Sequence, residues 1–415
     1  MRGFENIRLI AGLSWRNVWR NSRRSFLTFL TIVAGCTLII FMRSLQNGGY
    51  AQMIEDAIAP LTGHIQIHEK GFQENMTLEY AFKDDRGMAE KIRKIKSVKE
   101  AAPRIYAGGL LIHNDSSVGA EILAVKPELE KKITTLHNYI LPGGRYLEKG
   151  DTLAVILGKN LADNLGVEAG DTVSMVSQGF DGSIAAENFS VKGIFRTPNV
   201  MYNRTLALIP FSQGSETFSM DGYMSSIVIR ADDTEDVPEV AEKVKDVAGE
   251  KLEVLPWDKL MPEILQFIVM DRVSSHIFVF ILYMIVAFGI LNTIQMSVFE
   301  RIRELGIMLS IGTSPVRIFS MIITESAIIA FIGIIMGLIS GAALSYYFTI
   351  HPMDFSEYQA EMELYGMSTL VYYAKLKVSD FYNTGIMIFF LSLLFTFFPA
   401  RRAAKLDPVR AIRHL

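Results

Sequence analysis

Cysteine is almost missing from this sequence: 415 residues contain one, Cys36, set inside an apolar run. A lone thiol excludes a disulfide framework and a cysteine-rich metal site. The phosphate-cradling pattern G-x-x-x-x-G-K-[ST] does not occur, nor does an acidic strand placed to hold magnesium beside one. Any nucleotide hydrolysis linked to this chain is therefore expected on another polypeptide. The zinc pattern H-E-x-x-H is absent as well. His64 and His68 stand four apart, but in an alternating strand pattern that separates them by roughly 13 Å, with no intervening glutamate. Asp84-Asp85 and Asp232-Asp233 read as helix starts or turns, and Gly143-Gly144 after Pro142 as a turn. No nucleophile lies in a recognisable catalytic pattern. The chain reads as non-catalytic.

What is abundant is apolar surface. Half of the residues are hydrophobic. A bilayer core about 30 Å thick takes roughly 20 mostly apolar helical residues to cross. Four stretches meet that length: 25–46, 275–298, 317–348 and 383–400. The third exceeds the minimum and is expected to tilt or project. Its Gly333, Gly337 and Gly341 recur every four residues, so one helix face is stripped for close approach of another helix, in this chain or in a second one. Glu325 falls inside the same run. A carboxylate at membrane depth marks either a functional site or a group reaching headgroups or a polar neighbour. The first span is expected to persist as an anchor, because the run is preceded by 24 residues and Met42-Arg43-Ser44-Leu45-Gln46 offers no cleavage signal.

Charge sets the orientation. Arg2, Arg8, Arg16, Arg20, Arg23 and Arg24 precede the first span against Glu5 alone, and Arg401, Arg402, Lys405, Arg410 and Arg413 follow the last against Asp407. Arg301, Arg303 and Arg317 lie between spans two and three, whereas residues 47–270 carry 23 Lys/Arg and 33 Asp/Glu. The positive-inside rule then puts both termini in the cytoplasm, and residues 47–270 and the loop 349–382 outside. Residues 1–24 repeat Phe4, Ile7, Ala11, Trp15 and Val18 at helical spacing among arginines, the signature of a helix lying in the cytoplasmic interface.

The 47–270 block is too long for an unstructured loop. Two strand–helix–strand patterns flank it: 63–68, 86–98 and 104–112 at one end, and 226–230, 237–247 and 252–255 at the other. They predict one α+β subdomain completed by returning chain. The insert between them, 127–222, reads as mostly β. The predicted fold class is thus a membrane protein with four transmembrane α-helices, N-in and C-in, and a large α+β extracytoplasmic domain between helices 1 and 2. The tail is 401–415.

Three segments carry a resemblance. They are Leu13-Ser14-Trp15-Arg16-Asn17 through Arg23-Arg24-Ser25-Phe26-Leu27-Thr28; Glu300-Arg301-Ile302-Arg303-Glu304-Leu305-Gly306-Ile307 followed by Ile311-Gly312-Thr313-Ser314 and Glu325-Ser326; and Phe398-Pro399-Ala400-Arg401-Arg402 through Asp407-Pro408-Val409-Arg410. In order, spacing and topology the chain resembles the MacB/FtsX-like ABC transporter permease superfamily. Gly63-His64-Ile65 and Ile156-Leu157-Gly158-Lys159-Asn160-Leu161-Ala162 are similar to its lipoprotein-releasing (LolC/LolE-type) branch. Two departures stand out: Met308-Leu309-Ser310 is neutral where the family usually has a basic residue, and Thr197-Pro198-Asn199 replaces its usual Thr-Gly.

The resemblance implies a machine in the plasma membrane, made of two permeases, identical or paralogous, above an ABC ATPase dimer that holds ATP and Mg. The segment 299–316 would be the coupling helix and turn, with Glu300, Arg301, Arg303, Glu304, Leu305 and Gly306 contacting the ATPase. Lipoprotein cargo would be extracted from the outer leaflet and passed to a periplasmic carrier, and no nucleic acid is expected as partner. Phe41, Met42, Met53, Phe267 and Met270 either line an acyl-chain cavity or serve ordinary packing. Gly179, Phe180 and Asp181 form either a protruding contact for the carrier or a plain hairpin turn. Export of peptides, antibiotics or other amphiphiles, and FtsX-like regulation of a cell-wall hydrolase, are the competing functions.

Overall fold

A computed structural model describes residues 12, 14–20, 22–84, 87–355, 371–408 and 411. The expectations for Phe4, Ile7 and Ala11, for Arg86, and for the middle of the 349–382 loop lie outside the described residues. The chain divides into two compact units, Met1–Gln52 with Ile268–Leu415, and Met53–Phe267. In chain order, and with others left unnumbered, the helices include α1 (Ser22–Ile58), α2 (Met88–Arg93), α3 (Pro127–Ile133), α4 (Lys159–Leu165), α5 (Val237–Ala248), α6 (Pro262–Glu300), α7 (Ile302–Ser310), α8 (Pro315–Ile350) and α9 (Val378–Ala404). The strands of the main sheet are β1 (Ile65–Glu69), β3 (Val98–His113), β4 (Ser116–Val125), β5 (Ala154–Gly158), β6 (Thr172–Gln178), β7 (Ile184–Phe195), β8 (Leu206–Pro210), β10 (Ser226–Ala231) and β11 (Leu252–Pro256). Two-residue strands β2 (Phe82–Lys83) and β9 (Tyr223–Met224) pair with each other, as do β12 (Met353–Asp354) and β13 (Val371–Tyr372).

Among the described residues four helices, α1, α6, α8 and α9, are long and apolar enough to cross a membrane. The sequence placed the second span at 275–298, whereas α6 begins at Pro262; α1 likewise runs on to Ile58 rather than ending near residue 46. At about 1.5 Å per residue these helices are longer than the roughly 30 Å of hydrocarbon they cross. Hydropathy finds only the part of a helix that sits in lipid.

The glycine face of α8 packs inside this chain, against α1. A Cβ added at Gly333 would come 2.9 Å from Ile32 Cγ2, one at Gly341 2.9 Å from Ile40 Cβ, and one at Gly337 closer still to Cys36 Cβ. Thr37 Oγ1 and Ser340 Oγ share a hydrogen bond of 2.5 Å across the same seam. Small residues permit the approach, and the hydroxyl pair then satisfies polar atoms that lipid cannot.

The Met53–Phe267 unit has one nine-stranded sheet in the order β11-β1-β10-β3-β4-β8-β5-β7-β6. The first four strands are all antiparallel. With α2 and α5 covering Ile65, Ile67, Ile227 and Ile229 on one face, they form a βαβ–βαβ sandwich. The remaining five close into a six-stranded ring with β3, because β6 also pairs with β3. Alternate residues Ile105, Ala107, Leu111, Ile122, Met175 and Phe189 fill its interior.

The sequence assigned the β-rich part to residues 127–222. That boundary is corrected: β3 and β4 precede residue 127 yet complete the ring. The predicted 86–98 helix is also shorter, ending at Arg93, and a left-handed Ser97 (φ 68°) lets β3 start at Val98. Being 16 residues long, β3 reaches through both halves. Arg104 marks the crossover, paired with Ser226 on one side and Val125 on the other. It is wholly buried and grips Glu130 of α3 through two hydrogen bonds, 3.1 Å from Nε and 2.5 Å from Nη2. The same guanidinium donates to the Leu61 carbonyl at 2.7 Å and the Tyr106 hydroxyl at 3.1 Å. Burial opposes its charge, but the Glu130 carboxylate outweighs that and holds the guanidinium above its ordinary range.

Candidate functional site

The short rod between the second and third membrane helices organises one end of the bundle. Helix α6 stops at Glu300, Arg301 leaves helical geometry (φ −100°, ψ 8°), and α7 resumes at Ile302. The sequence predicted the coupling helix and turn over 299–316; the break at Arg301 leaves its first two residues in α6. Gly312, at φ 96°, supplies the left-handed turn that L-residues resist, and Pro315 starts α8 where no amide hydrogen is needed.

Leu305 and Gly306 are buried, and a Cβ on Gly306 would lie 2.6 Å from that of Ala411. The inner face of the rod is thus occupied by this chain's own tail. Its outer face presents Arg303, Glu304, Ile307, Ser310 and Ile311.

Arg301 turns inward. Its Nη1 donates to Glu325 Oε2 at 3.0 Å and Oε1 at 3.3 Å, with only 10% and 11% of the two side chains exposed. A buried ion pair is held by geometry, since each partner has lost its water. Around it, Arg24 pairs with Glu300 and Arg20 with Glu304, while Arg301 Nε lies 3.5 Å from Glu304 Oε2. A cavity of about 30 Å3 lined by Arg24, Thr28, Ser297, Arg301, Glu325 and Ser326 adjoins the pair, enough for a water molecule. The helix containing residues 14–20 joins the cluster through Ser14 Oγ, which donates to the Met321 carbonyl at 3.1 Å. Its Trp15 and Trp19 stack edge-on, centroids 6.0 Å apart, on the exposed side.

Of the six residues named for coupling, then, Arg301, Leu305 and Gly306 are buried against this chain's own helices and tail, and Glu300 is exposed while paired with Arg24. Arg303 faces outward, and Glu304 is exposed while paired. Sequence reasoning missed Arg20, Arg24 and Ala411 as their partners. The only signal was the excess of arginine before the first span, matched by glutamates some 280 residues later.

The residues named for cargo are spread over both units. Phe41 packs on Phe348, ring centroids 5.2 Å apart, and Met42 is half-buried, both in the membrane unit, where Met270 is 65% exposed on α6. Met53 is half-buried and Phe267 exposed in the other unit. At the β6–β7 hairpin, Gly179 is buried and Phe180 folds back on Tyr223 at 4.8 Å, its amide donating to the Phe218 carbonyl at 2.8 Å. Asp181 is exposed and accepts from the Ser183 hydroxyl at 2.6 Å and amide at 3.0 Å, which hold its carboxyl below the ordinary range. Ile184, 83% exposed, is the apolar group this hairpin offers to solvent.

Among the described residues no three His, Cys, Asp or Glu side chains converge as a metal site. His64 Nδ1 accepts from the Ala231 amide at 3.0 Å, and His68 is buried against Phe72. Burial, with the Arg104 charge adding to it, pushes His68 down to about 4.

Residues 25–247 match the family model of the MacB-like periplasmic core domain, and residues 276–408 that of the FtsX-like permease C-terminal region. The lipoprotein-releasing system transmembrane protein LolC of Neisseria meningitidis serogroup B is 21% identical, over 98% of this chain and 99% of that protein. The macrolide export ATP-binding/permease protein MacB of Nitrobacter winogradskyi is 24% identical over 94% of this chain, which spans 58% of that longer protein. The crystal structure of the periplasmic region of MacB from Actinobacillus actinomycetemcomitans covers 51% of this chain and 97% of its own, at 17% identity and a TM-score of 0.37. Four membrane helices with a MacB-like extracytoplasmic domain between the first and second are the architecture of these permeases. The chain belongs to the MacB/FtsX-like ABC transporter permease superfamily.

Proposed function

We propose that this chain is the plasma-membrane subunit of a transporter that draws lipoproteins from the outer leaflet and passes them to a soluble periplasmic carrier. ATP and Mg are held by a separate ATPase pair, and a second permease, identical or paralogous, completes the assembly. The observation that carries this reading is the end-to-end match, over 98% of this chain and 99% of the relative, to a protein named for lipoprotein release. The absence of a phosphate-cradling motif from the chain supports a separate ATPase.

The rod α7 supports the mechanical part of the proposal. Its inner face is fixed by Arg301–Glu325 and by Gly306 against Ala411, so a push on Arg303, Ile307 and Ile311 moves the helix ends with it. In that arrangement Arg301, Leu305 and Gly306 hold the rod, and the exposed side chains meet the ATPase.

Proteoliposomes holding the permease pair, the ATPase and a lipidated cargo test the reading. Cargo should leave the membrane only when ATP and carrier are both supplied; release that ignores either one, or no release at all, rules it out. A second reading, export of a macrolide or similar amphiphile, is favoured by the 24% identity to the macrolide exporter. It would appear as ATPase stimulation by such a compound without dependence on lipidated cargo.

A further inference from the structure

We propose that a groove between the second and fourth membrane helices binds one anionic phospholipid of the cytoplasmic leaflet. The groove has a volume of about 200 Å3 and is lined by Leu291, Gln295, Val298 and Phe299 of α6 and by Phe398, Pro399 and Arg402 of α9. On α6 those positions recur at helical spacing along one face. On α9, Phe398, Pro399 and Arg402 also share a face, so an apolar trough leads to a guanidinium at the cytoplasmic end.

Charge selects the occupant. At this end of the bundle Arg20, Arg24 and Arg301 each face a carboxylate. Arg402, and Arg401 beside it in the last turn of α9, face none among the described residues. The helix C-terminus favours cations there, which by itself would account for the arginines and not for the trough beneath them.

Gln295 is the second observation. It is half-buried at membrane depth on the trough wall and has no hydrogen-bond partner among the described residues. A side-chain amide in that position needs a polar ligand that lipid tails do not provide. A phosphodiester on Arg402 with its ester oxygens near Gln295 and its acyl chain along Leu291, Phe299 and Phe398 meets every requirement at once. Basic pockets between membrane helices on the cytoplasmic side take anionic headgroups for this reason. The proposal does not depend on which cargo the transporter carries.

The test is native mass spectrometry of the full-length protein in mild detergent, titrated with phosphatidylglycerol or phosphatidylcholine. The wild type should retain phosphatidylglycerol preferentially, and Arg402→Gln should reduce that retention about fivefold, the factor expected for one interfacial cation. Gln295→Leu should weaken it with the protein's melting temperature unchanged. Inorganic phosphate should not displace the lipid; full displacement would assign the site to a free anion and overturn the proposal. Equal retention of the two lipids, or a preference untouched by Arg402→Gln, would overturn it as well. Ready disulfide formation between chains carrying Phe398→Cys would give the groove to a second copy, with the same consequence.

Discussion

Arg301, at the break between the second membrane helix and the cytoplasmic rod, donates two hydrogen bonds to Glu325, which lies inside the third apolar helix. A residue of the loop thereby anchors one of the span, and the rod's angle is fixed by side chains rather than by helical continuity. Removing one partner strands a buried charge.

Glu325→Leu and Arg301→Met, made singly, should each destabilise the protein by about 3 kcal/mol. The double variant should regain most of that stability, because an apolar pair needs no partner. If the pair positions the rod, the double variant will melt near the wild-type temperature yet couple ATP hydrolysis to transport poorly. Melting curves in detergent, read beside ATP-dependent transport, separate the two effects.

The exposed face of the rod makes a contrasting prediction. Ile307→Asp or Arg303→Glu should abolish co-purification of the ATPase while leaving the melting temperature within a degree or two. Glu304→Gln, which breaks an exposed pair with Arg20 worth less than about 1 kcal/mol, should leave stability nearly unchanged.

Close approach of α1 and α8 predicts a size rule. Gly337→Ala puts a methyl group against Cys36 Cβ and should cost about 1–3 kcal/mol by overpacking. Adding Cys36→Gly makes room and should restore part of the loss. Size-exclusion profiles after stepwise heating give the order, and an unperturbed Gly337→Ala would refute the contact.

His68 gives a pH prediction. Burial and the Arg104 charge depress it from 6.5 to about 4 in the folded protein. The unfolded chain therefore binds the extra proton first, so stability falls as the pH drops from about 6.5 to about 4. The full effect is up to about 3 kcal/mol. Above pH 7 this residue contributes no pH dependence. His68→Gln should flatten that acid limb, measured by denaturation of the full-length protein at pH 7.5, 6 and 5.

Much of this architecture is legible along the chain. Apolar length and arginine placement are sums over neighbouring residues, which is why four spans and their direction follow from the sequence. The strand alternation at Gly63–His68 and Ser226–Arg230 likewise depends on residues side by side, and these strands are antiparallel neighbours in the sheet. The cytoplasmic ion pairs were out of reach: Arg24 with Glu300 and Arg20 with Glu304 are contacts between distant segments with no spacing rule to find them. Phe180 is undecided by its neighbours: the turn around Gly179 and Asp181 leaves a protruding contact and a plain hairpin turn both open, and the packing of Phe180 on Tyr223, from another strand, is a tertiary contact.

The sequence by itself determined that the chain spans a bilayer, which way it faces and which permease superfamily it joins, because hydropathy, charge and motif spacing need no partner in space. Only the tertiary structure decided that the glycine face of α8 meets α1, that β3 serves both halves of the domain, and that Arg301 answers Glu325. Each of these depends on which surfaces come within a few ångströms, and burial makes such choices strong where local preference is silent.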